Sequence, residues 1–309
     1  MRTLTGTAAL TAAAVALTAC GNVSFGTHHE DRSYTAPGGV TRLKVDAGGS
    51  RVEVTASDSP GIKVDERLRW SNDRNKPQVR HTTEGDTLKL SSKCGRQVIG
   101  VGSCGVTFRV RVPRATPVDI TNRDGAIVAS GLTGTVNLHN ANGSITATDL
   151  RATTATLDTR DGSLRVSGRA DTADLTSENG SVDATGLTAG RLTARTRDGR
   201  IRLSGTATSA DLRSDNGNIE ATGLTSDRLT AHTRDGGISL ALAAPPSNVA
   251  AEAQNGSVEL RLPSEADYAI SASVSNGTRK IDSGVHENSQ SKRRIQLTAR
   301  DGGVHVTPN

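Results

Sequence analysis

Arg-Asp-Gly recurs in this chain at Asp124, Asp161, Asp198 and Asp235, each 37 residues from the last; Asn-Gly falls between these copies at Asn142, Asn179 and Asn216 and follows the last at Asn255. Carboxylates repeated at a fixed spacing could hold a cation or, in pairs, move protons. Calcium takes about six to eight oxygens, and Asp residues separated by an Asn-bearing repeat are too far apart to share one ion directly. The Gly-rich nonapeptide of calcium-binding β-rolls is also absent. A glycosidase needs two carboxyl groups at a defined separation. Glu178 and Asp161 lie one repeat apart and could approach each other, yet both occupy positions that recur, with different residues, in every repeat. Sugar clefts and nucleic-acid platforms present aromatic faces. Only 2% of this chain is aromatic, and Phe25, Tyr34, Trp70, Phe108 and Tyr268 all fall outside the regular repeats. His28-His29-Glu30-Asp31 groups ligand-type residues, but neighbours in sequence do not converge on a metal without a fold to turn them. His81, His139, His232, His286 and His305 show no ligand spacing. No catalytic residue, metal, cofactor or nucleic-acid partner is expected.

The Asx-Gly pairs instead mark turns. Turn glycines at 125, 143, 162, 180, 199, 217, 236 and 256 are spaced by 18 or 19 residues, with a last step of 20. A fixed short period is the signature of a repeat architecture. Seven and five residues before each glycine stand apolar pairs such as Ala155/Leu157, Ala173/Leu175 and Leu192/Ala194. Two and four residues after it stand Ile145/Ala147, Leu164/Val166 and Val182/Ala184. Alternation on both sides of the turn predicts two short strands per repeat, each burying one face. An all-β chain follows, either an antiparallel meander rolled into a barrel, since Asx-Gly is the preferred hairpin turn, or a parallel β-solenoid with one coil per repeat.

The alternation of turn residues favours the solenoid. In order they read Asp124, Asn142, Asp161, Asn179, Asp198, Asn216, Asp235, Asn255. Stacked about 4.8 Å apart, consecutive carboxylates would repel, and an Asn between them removes the repulsion. One position earlier, Arg160, Glu178, Arg197, Asp215 and Arg234 give complementary charges up the stack. In a meander the same turns would lie about two strand spacings apart, where screening erases the advantage. This charged file is the candidate binding face. The longer repeats carry their extra residue at the opposite turn, as in GLTAGRL against SGRADTA, so the unit is a pair of coils totalling 37 residues.

Residues 39–117 and 264–309 flank the regular array at 118–263 and read as end caps, which a solenoid needs to protect its edge strands. Residues 264–294 read as an irregular excursion and 295–306 as one final coil. Cys94 and Cys104 are an even pair, expected to form a disulfide in an exported chain. Residues 1–19 place Arg2 before an Ala-rich apolar run too short to span a bilayer. The run ends in Leu17-Thr18-Ala19-Cys20, which resembles the lipobox of bacterial lipoproteins. The resemblance implies an acylated Cys20 as the mature N-terminus, with residues 20–38 a flexible tether and the chain lipid-anchored on the outer face of the cell membrane. The formal charge of +5, or +4 without the segment carrying Arg2, favours anionic neighbours such as envelope polymers or lipid headgroups.

The repeated T-x-[ND]-G-x-[IV] units with their G-L turns, and the lead-in VTFRVRVPRATPVDITNRDGAIVASGLTG, resemble the bacterial "putative adhesin" family of β-repeat domains across roughly residues 38–306. That family brings no catalytic or ligand residues to transfer. The resemblance implies a non-enzymatic surface module for adhesion, scaffolding or envelope organisation, with surface proteins or anionic polymers as partners. Two other classes stay open: a carbohydrate-active β-helix enzyme, if an acidic cleft breaks the repeat pattern, and a sensor or accessory lipoprotein of an envelope-stress system, if the segments around Trp70 or 264–294 form a pocket.

Overall fold

Strict alternation of apolar and polar residues lets each strand of this chain bury one face and no more, so the strands must share a narrow interior. The computed structural model describes residues 28–94 and 103–309 and resolves this requirement as a parallel β-solenoid. Seven strands precede the array: β1 (His28–Thr35), β2 (Arg42–Ala47), β3 (Arg51–Ser57), β4 (Lys63–Trp70), β5 (Gln78–Glu84), β6 (Thr87–Lys93) and β7 (Cys104–Pro113). The array comprises β8 (Val118–Asp124), β9 (Ile127–Ser130), β10 (Val136–Asn142), β11 (Ile145–Thr159), β12 (Leu164–Ser177), β13 (Val182–Thr196), β14 (Ile201–Ser214), β15 (Ile219–Asp235), β16 (Ile238–Leu242), β17 (Asn248–Asn255) and β18 (Val258–Leu262). Four strands follow: β19 (Ala269–Asn276), β20 (Arg279–Ile281), β21 (Arg294–Asp301) and β22 (Val304–Pro308). Every pairing within the array is parallel, which excludes the meander.

The Asx-Gly turn bends the chain without reversing it, so each coil has one side before the turn and another after it. On the first side Val136, Ala155, Ala173, Leu192, Ala210 and Leu229 stack in register, and so do Leu138, Leu157, Leu175, Ala194, Leu212 and Ala231. From Ala155/Leu157 onward each of these coils supplies one Leu and one Ala, which keeps the interior volume constant along the axis. On the second side Ile127, Ile145, Leu164, Val182, Ile201, Ile219, Ile238 and Val258 stack, all buried. Each fully buried Leu or Ile contributes about 1.5–3 kcal/mol, and packing against neighbouring coils makes the gain mutual.

A third, shorter side closes the coil and explains why the unit is a pair. Leu150, Gly168, Leu187, Gly205 and Leu224 are register partners, so Leu and Gly alternate. A Cβ on Gly168 would lie 2.4 Å from the Leu150 nitrogen, and one on Gly205 2.3 Å from the Leu187 oxygen. In the longer coils the extra residue forms a bulge just before the Leu, at Asp149, Gly186 and Gly223, with φ of 54°, 70° and 62°. The left-handed conformation favours glycine, and Asp149 is the exception in this series.

At the Asx-Gly turn glycine has a different cause. The glycines at 143, 162, 180, 199, 217, 236 and 256 are absent from the positive-φ residues. A Cβ on Gly199 would lie 2.1 Å from the Gly180 oxygen, on Gly180 2.0 Å from the Gly162 oxygen, and on Gly217 1.9 Å from the Gly199 oxygen. Close approach between coils, not backbone torsion, requires glycine here.

At both ends the order of coils in space departs from the order in sequence. β2 pairs with both β6 and β8, and β3 with both β7 and β9, so the first parallel coil lies inside the stack and β6/β7 outside it. At the other end β21 pairs with β17 and β19, and β22 with β18 and β20, so the last coil is inserted beneath the earlier β19/β20. Residues 42–57 within the expected N-terminal cap therefore form a regular coil. Residues 264–294 are not merely irregular, because β19 and β20 form the outermost coil. The expected tether also gives way: residues 28–35 form β1, paired over its full length antiparallel to β4. Its mixed charge and lack of a continuous apolar face are what an exposed edge strand needs, and in sequence they look like a linker. Residues 20–27 and 1–19 lie outside the described residues.

Antiparallel layers finish the N-terminal end, with β4 on β7 and β5 on β6. Buried Glu66 on β4 bonds His81 on β5, joining the two layers. Cys94 and Cys104 form the expected disulfide, Cα–Cα 5.8 Å, across the outer parallel coil. At the C-terminal end Tyr268 is fully buried and donates from its hydroxyl to the Pro263 carbonyl at 2.8 Å.

Glycine's two roles predict different costs. Gly199→Ala, with no room against Gly180, should destabilise by about 3 kcal/mol or more. Gly186→Ala, with open space around its Cβ, should cost only about 1–2 kcal/mol for the left-handed backbone. Chemical denaturation of the two variants checks the contrast.

Candidate functional site

The close glycine contact sets the residue before it on a common edge, one per coil, and this edge is the most ordered polar feature of the array. Each Asn donates from Nδ2 to the Asp one coil earlier: Asn142 to Asp124 at 2.7 Å, Asn179 to Asp161, Asn216 to Asp198 and Asn255 to Asp235 at 2.5 Å each. The arginines complete the chain. Arg197 donates from Nη2 to Asn179 Oδ1 at 2.7 Å and from Nε to Asp198 at 3.1 Å. Arg234 repeats this with Asn216 at 3.0 Å and Asp235 at 3.1 Å. A continuous run therefore links Asp161, Asn179, Arg197, Asp198, Asn216, Arg234, Asp235 and Asn255. Asn179 and Asn216 do more than separate two carboxylates, because each donates to one neighbour and accepts from the next.

The alternation follows the stack rather than the sequence. Beyond Asn255 the next coil in space carries Asp301, and the outermost carries Asn276, which donates to Asp301 at 2.8 Å. Asn276 precedes Asp301 in the chain, yet the spatial order Asp235, Asn255, Asp301, Asn276 keeps the rule. The glycines agree, since a Cβ on Gly302 would meet the Gly256 oxygen and one on Gly277 the Gly302 oxygen.

A second ladder runs beneath the first and was not legible from alternation alone. Three residues before the turn glycine, Thr159, Ser177, Thr196, Ser214 and Thr233 are buried. Each donates its hydroxyl to the carbonyl of the turn glycine one coil earlier, at 2.8–3.2 Å. Asn122 and Asn140 do the same with their amides toward Ser50 and Gly125. A buried carbonyl left unpaired costs about 1–3 kcal/mol, which accounts for the Thr of the T-x-[ND]-G motif.

Of the charged file singled out from sequence, Arg160, Glu178, Arg197, Asp215 and Arg234 all lie exposed on this edge. Complementarity between successive coils is secondary, because Arg197 approaches Glu178 only at 3.7 Å while bonding Asn179 and Asp198. Arg197 and Arg234 are thus occupied by the ladder rather than held out for a ligand. Hydrogen bonds from Asn216 and then Arg197 hold the Asp198 carboxyl below its usual range, and Asn255 and then Arg234 do the same for Asp235. A depressed carboxylate contributes stability above its unfolded pKa and loses it as the pH falls through the folded one, so this edge weakens in acid.

Elsewhere among the described residues the ligand-type side chains do not converge. Among the described residues no group of three or more His, Cys, Asp or Glu could hold a metal ion. Trp70 is covered, its ring stacked on His28 with centroids 5.6 Å apart and Lys76 Nζ 4.9 Å away. A depression of about 440 Å³ near the N-terminal end contains Arg42, Lys44 and Lys89, each facing a carboxylate on Asp86, Asp119 or Glu84. Among the described residues no helix is long and apolar enough to cross a membrane. Cys20 lies outside them.

Replacing Asn179 by Asp removes the donor to Asp161 and sets carboxylates on three consecutive coils. Stability should fall, and fall further at low than at high salt. Denaturation at two ionic strengths measures it, and a salt-independent change would contradict the ladder.

Comparison with known proteins agrees with this architecture. Several solved structures resemble it at low identity. A protein from Parabacteroides distasonis ATCC 8503 described as a "putative lipid binding protein" is 11% identical with a TM-score of 0.52, covering 90% of this chain and 96% of its own. A "putative adhesin" from Parabacteroides merdae ATCC 43184 is 14% identical with a TM-score of 0.49, covering 90% and 96%. Another "putative adhesin", from Bacteroides fragilis NCTC 9343, is 18% identical with a TM-score of 0.37, covering 91% and 97%. No curated protein matches the sequence. The sequence profile of the Toastrack DUF4097 family matches residues 40–207 and again 169–307, and with its stacked T-x-[ND]-G coils the chain belongs to the Toastrack DUF4097 family.

Proposed function

We propose that this protein is a non-enzymatic, exported surface module, held on the outer face of the cell membrane by a lipid on Cys20, that binds anionic envelope polymers and so serves adhesion or envelope organisation. The observation that carries the reading is a file of arginines along the stack, distinct from the Asx-Gly edge. Thr154, Thr172, Arg191, Ser209, Arg228, Asn248 and Arg294 are consecutive register partners. Arg191, Arg228 and Arg294 are therefore two coils apart, about 10 Å, and all three are exposed. Arg151 and Arg169 stack on adjacent coils of the same side. Of these five, Arg228 alone lies within 4.0 Å of a described carboxylate, that of Asp227 at 3.2 Å. Arg151 and Arg169, like charges on neighbouring strands, are unfavourable together unless an anion bridges them, and the row of Arg191, Arg228 and Arg294 at regular spacing suits a polymer carrying regularly spaced phosphates or carboxylates.

An anchor at Cys20 would fit the same reading. Seven residues, eight Cα–Cα steps, separate Cys20 from His28 at the start of β1, a reach of roughly 28 Å when extended. Acylation there would hold the N-terminal end of the stack near the bilayer and project the arginine file away from it.

Full-length protein carrying Cys20→Ser, presented with envelope glycans, anionic wall polymers and matrix proteins, tests the reading with breakdown monitored in the same wells. Saturable binding of anionic polymers without turnover is expected, weakening as salt rises. The triple variant Arg191→Ala, Arg228→Ala, Arg294→Ala should lose most of that binding with its melting unchanged. Turnover, or binding indifferent to the triple variant, would overturn the proposal.

A further inference from the structure

The same edge places five Asn-Gly pairs in a graded series of environments, at Asn142, Asn179, Asn216, Asn255 and Asn276. Asn-Gly is the sequence in which a backbone nitrogen most readily attacks the preceding side chain, because glycine puts no Cβ in the way. The nitrogen of the glycine bonds to the Asn Cγ, the Cγ–Nδ2 bond breaks, and ammonia leaves carrying the displaced proton. Water then opens the resulting five-membered imide at either carbonyl, giving Asp or its isomer with the backbone routed through the side chain.

We propose that Asn276 is a site of spontaneous deamidation in the folded protein, and that the Arg-Asn-Asp clamps protect Asn179 and Asn216. The amides of Gly143, Gly180, Gly217, Gly256 and Gly277 donate no hydrogen bond among the described residues, so the nucleophile is available at every site. Access of Cγ to it differs. Asn179 and Asn216 are held at both ends, donating to an Asp and accepting from Arg197 or Arg234. Both lie on coils paired above and below. Asn142 and Asn255 are held at the donor end by Asp124 and Asp235, also within the stack. Asn276 is held only through Asp301, and its strand β19 pairs with β21 on one side alone. Attack requires the side chain to rotate away from Asp301 while the turn opens, and an outer coil opens more readily than an inner one. Gly277 is pressed against the Gly302 carbonyl as closely as the inner glycines are against theirs, so the difference lies in the single pairing of its strand and in the missing Arg contact.

The product also has a consequence. A carboxylate at position 276 faces Asp301 across one coil spacing and replaces a donor with a second acceptor, so deamidation loosens the outer coil and exposes the strands beneath it. The inference does not depend on the polymer-binding reading.

Full-length protein incubated at mildly alkaline pH, sampled over days and mapped by peptide mass spectrometry, tests it, with a urea-unfolded sample as reference. Asn276 is expected to convert roughly tenfold faster than Asn179 and Asn216, with Asn142 and Asn255 between, while all five convert together in the unfolded sample. Arg234→Ala, its folding checked by melting, should raise conversion at Asn216 and leave Asn179 unchanged. Conversion of Asn179 or Asn216 as fast as Asn276, or an intact Asn276 when the unfolded sample has reacted, would overturn the assignment. An unchanged rate at Asn216 in Arg234→Ala would overturn the clamp.

Discussion

The contact between the Cα of each turn glycine from Gly143 onward and the carbonyl oxygen of the glycine one coil away governs this structure. It leaves no room for a Cβ, which fixes the residue type, and it brings successive turns into register at the strand spacing. Everything else on that edge is a consequence. The buried hydroxyl three residues earlier satisfies the carbonyl that the contact removes from water. The Asx residue one position earlier is brought against its counterpart, where only an alternation of donor and acceptor satisfies every coil. A single steric constraint thus produces a T-x-[ND]-G motif in which each letter has a separate physical cause.

The same rule accounts for the ends. A solenoid whose first and last coils lay outermost would leave its chain ends on the least stable layers. Here the first and last parallel coils are each inserted one layer inward and covered by a coil from elsewhere in the chain. The alternation of Asp and Asn survives the reversal at the C-terminal end, so the ladder is a property of the stack. The two ends differ in finish. Charged antiparallel strands close the N-terminal one, whereas the outermost coil at the other joins an uncharged, Ser-rich β19 to a basic β20.

Much of this was legible from sequence because period-two alternation around a recurrent turn leaves few architectures. The core pairs, the parallel stacking, the paired-coil unit and the Cys94–Cys104 bridge follow from spacing and chemistry. The reason for glycine did not, since an Asx-Gly pair looks the same whether torsion or close approach selects it. The inward Thr and Ser hydroxyls were missed because a polar residue at an inward position breaks the binary pattern that defines the core. Asn276-Gly277 fell off the period because its coil is out of sequence order, and that hid the swap. β1 was hidden by being polar on both faces, as an exposed edge should be. The partners of Arg197 and Arg234 could not be chosen from sequence, where Glu178 and Asp215 look as suitable as the Asn and Asp that hold them.

The most direct test of the account is cross-linking between positions of the ladder at the C-terminal end. Cysteines at 255 and 301, one coil apart in the stack, should form a disulfide on mild oxidation, since neighbouring strands lie within the distance a disulfide spans. Cysteines at 255 and 276, separated by the inserted coil, should not, although they are closer in sequence. Mapping of the bonded peptides in the folded protein reads the result. A bond between 255 and 276, with 255 and 301 left reduced, would contradict both the swapped coil and the ladder that follows it.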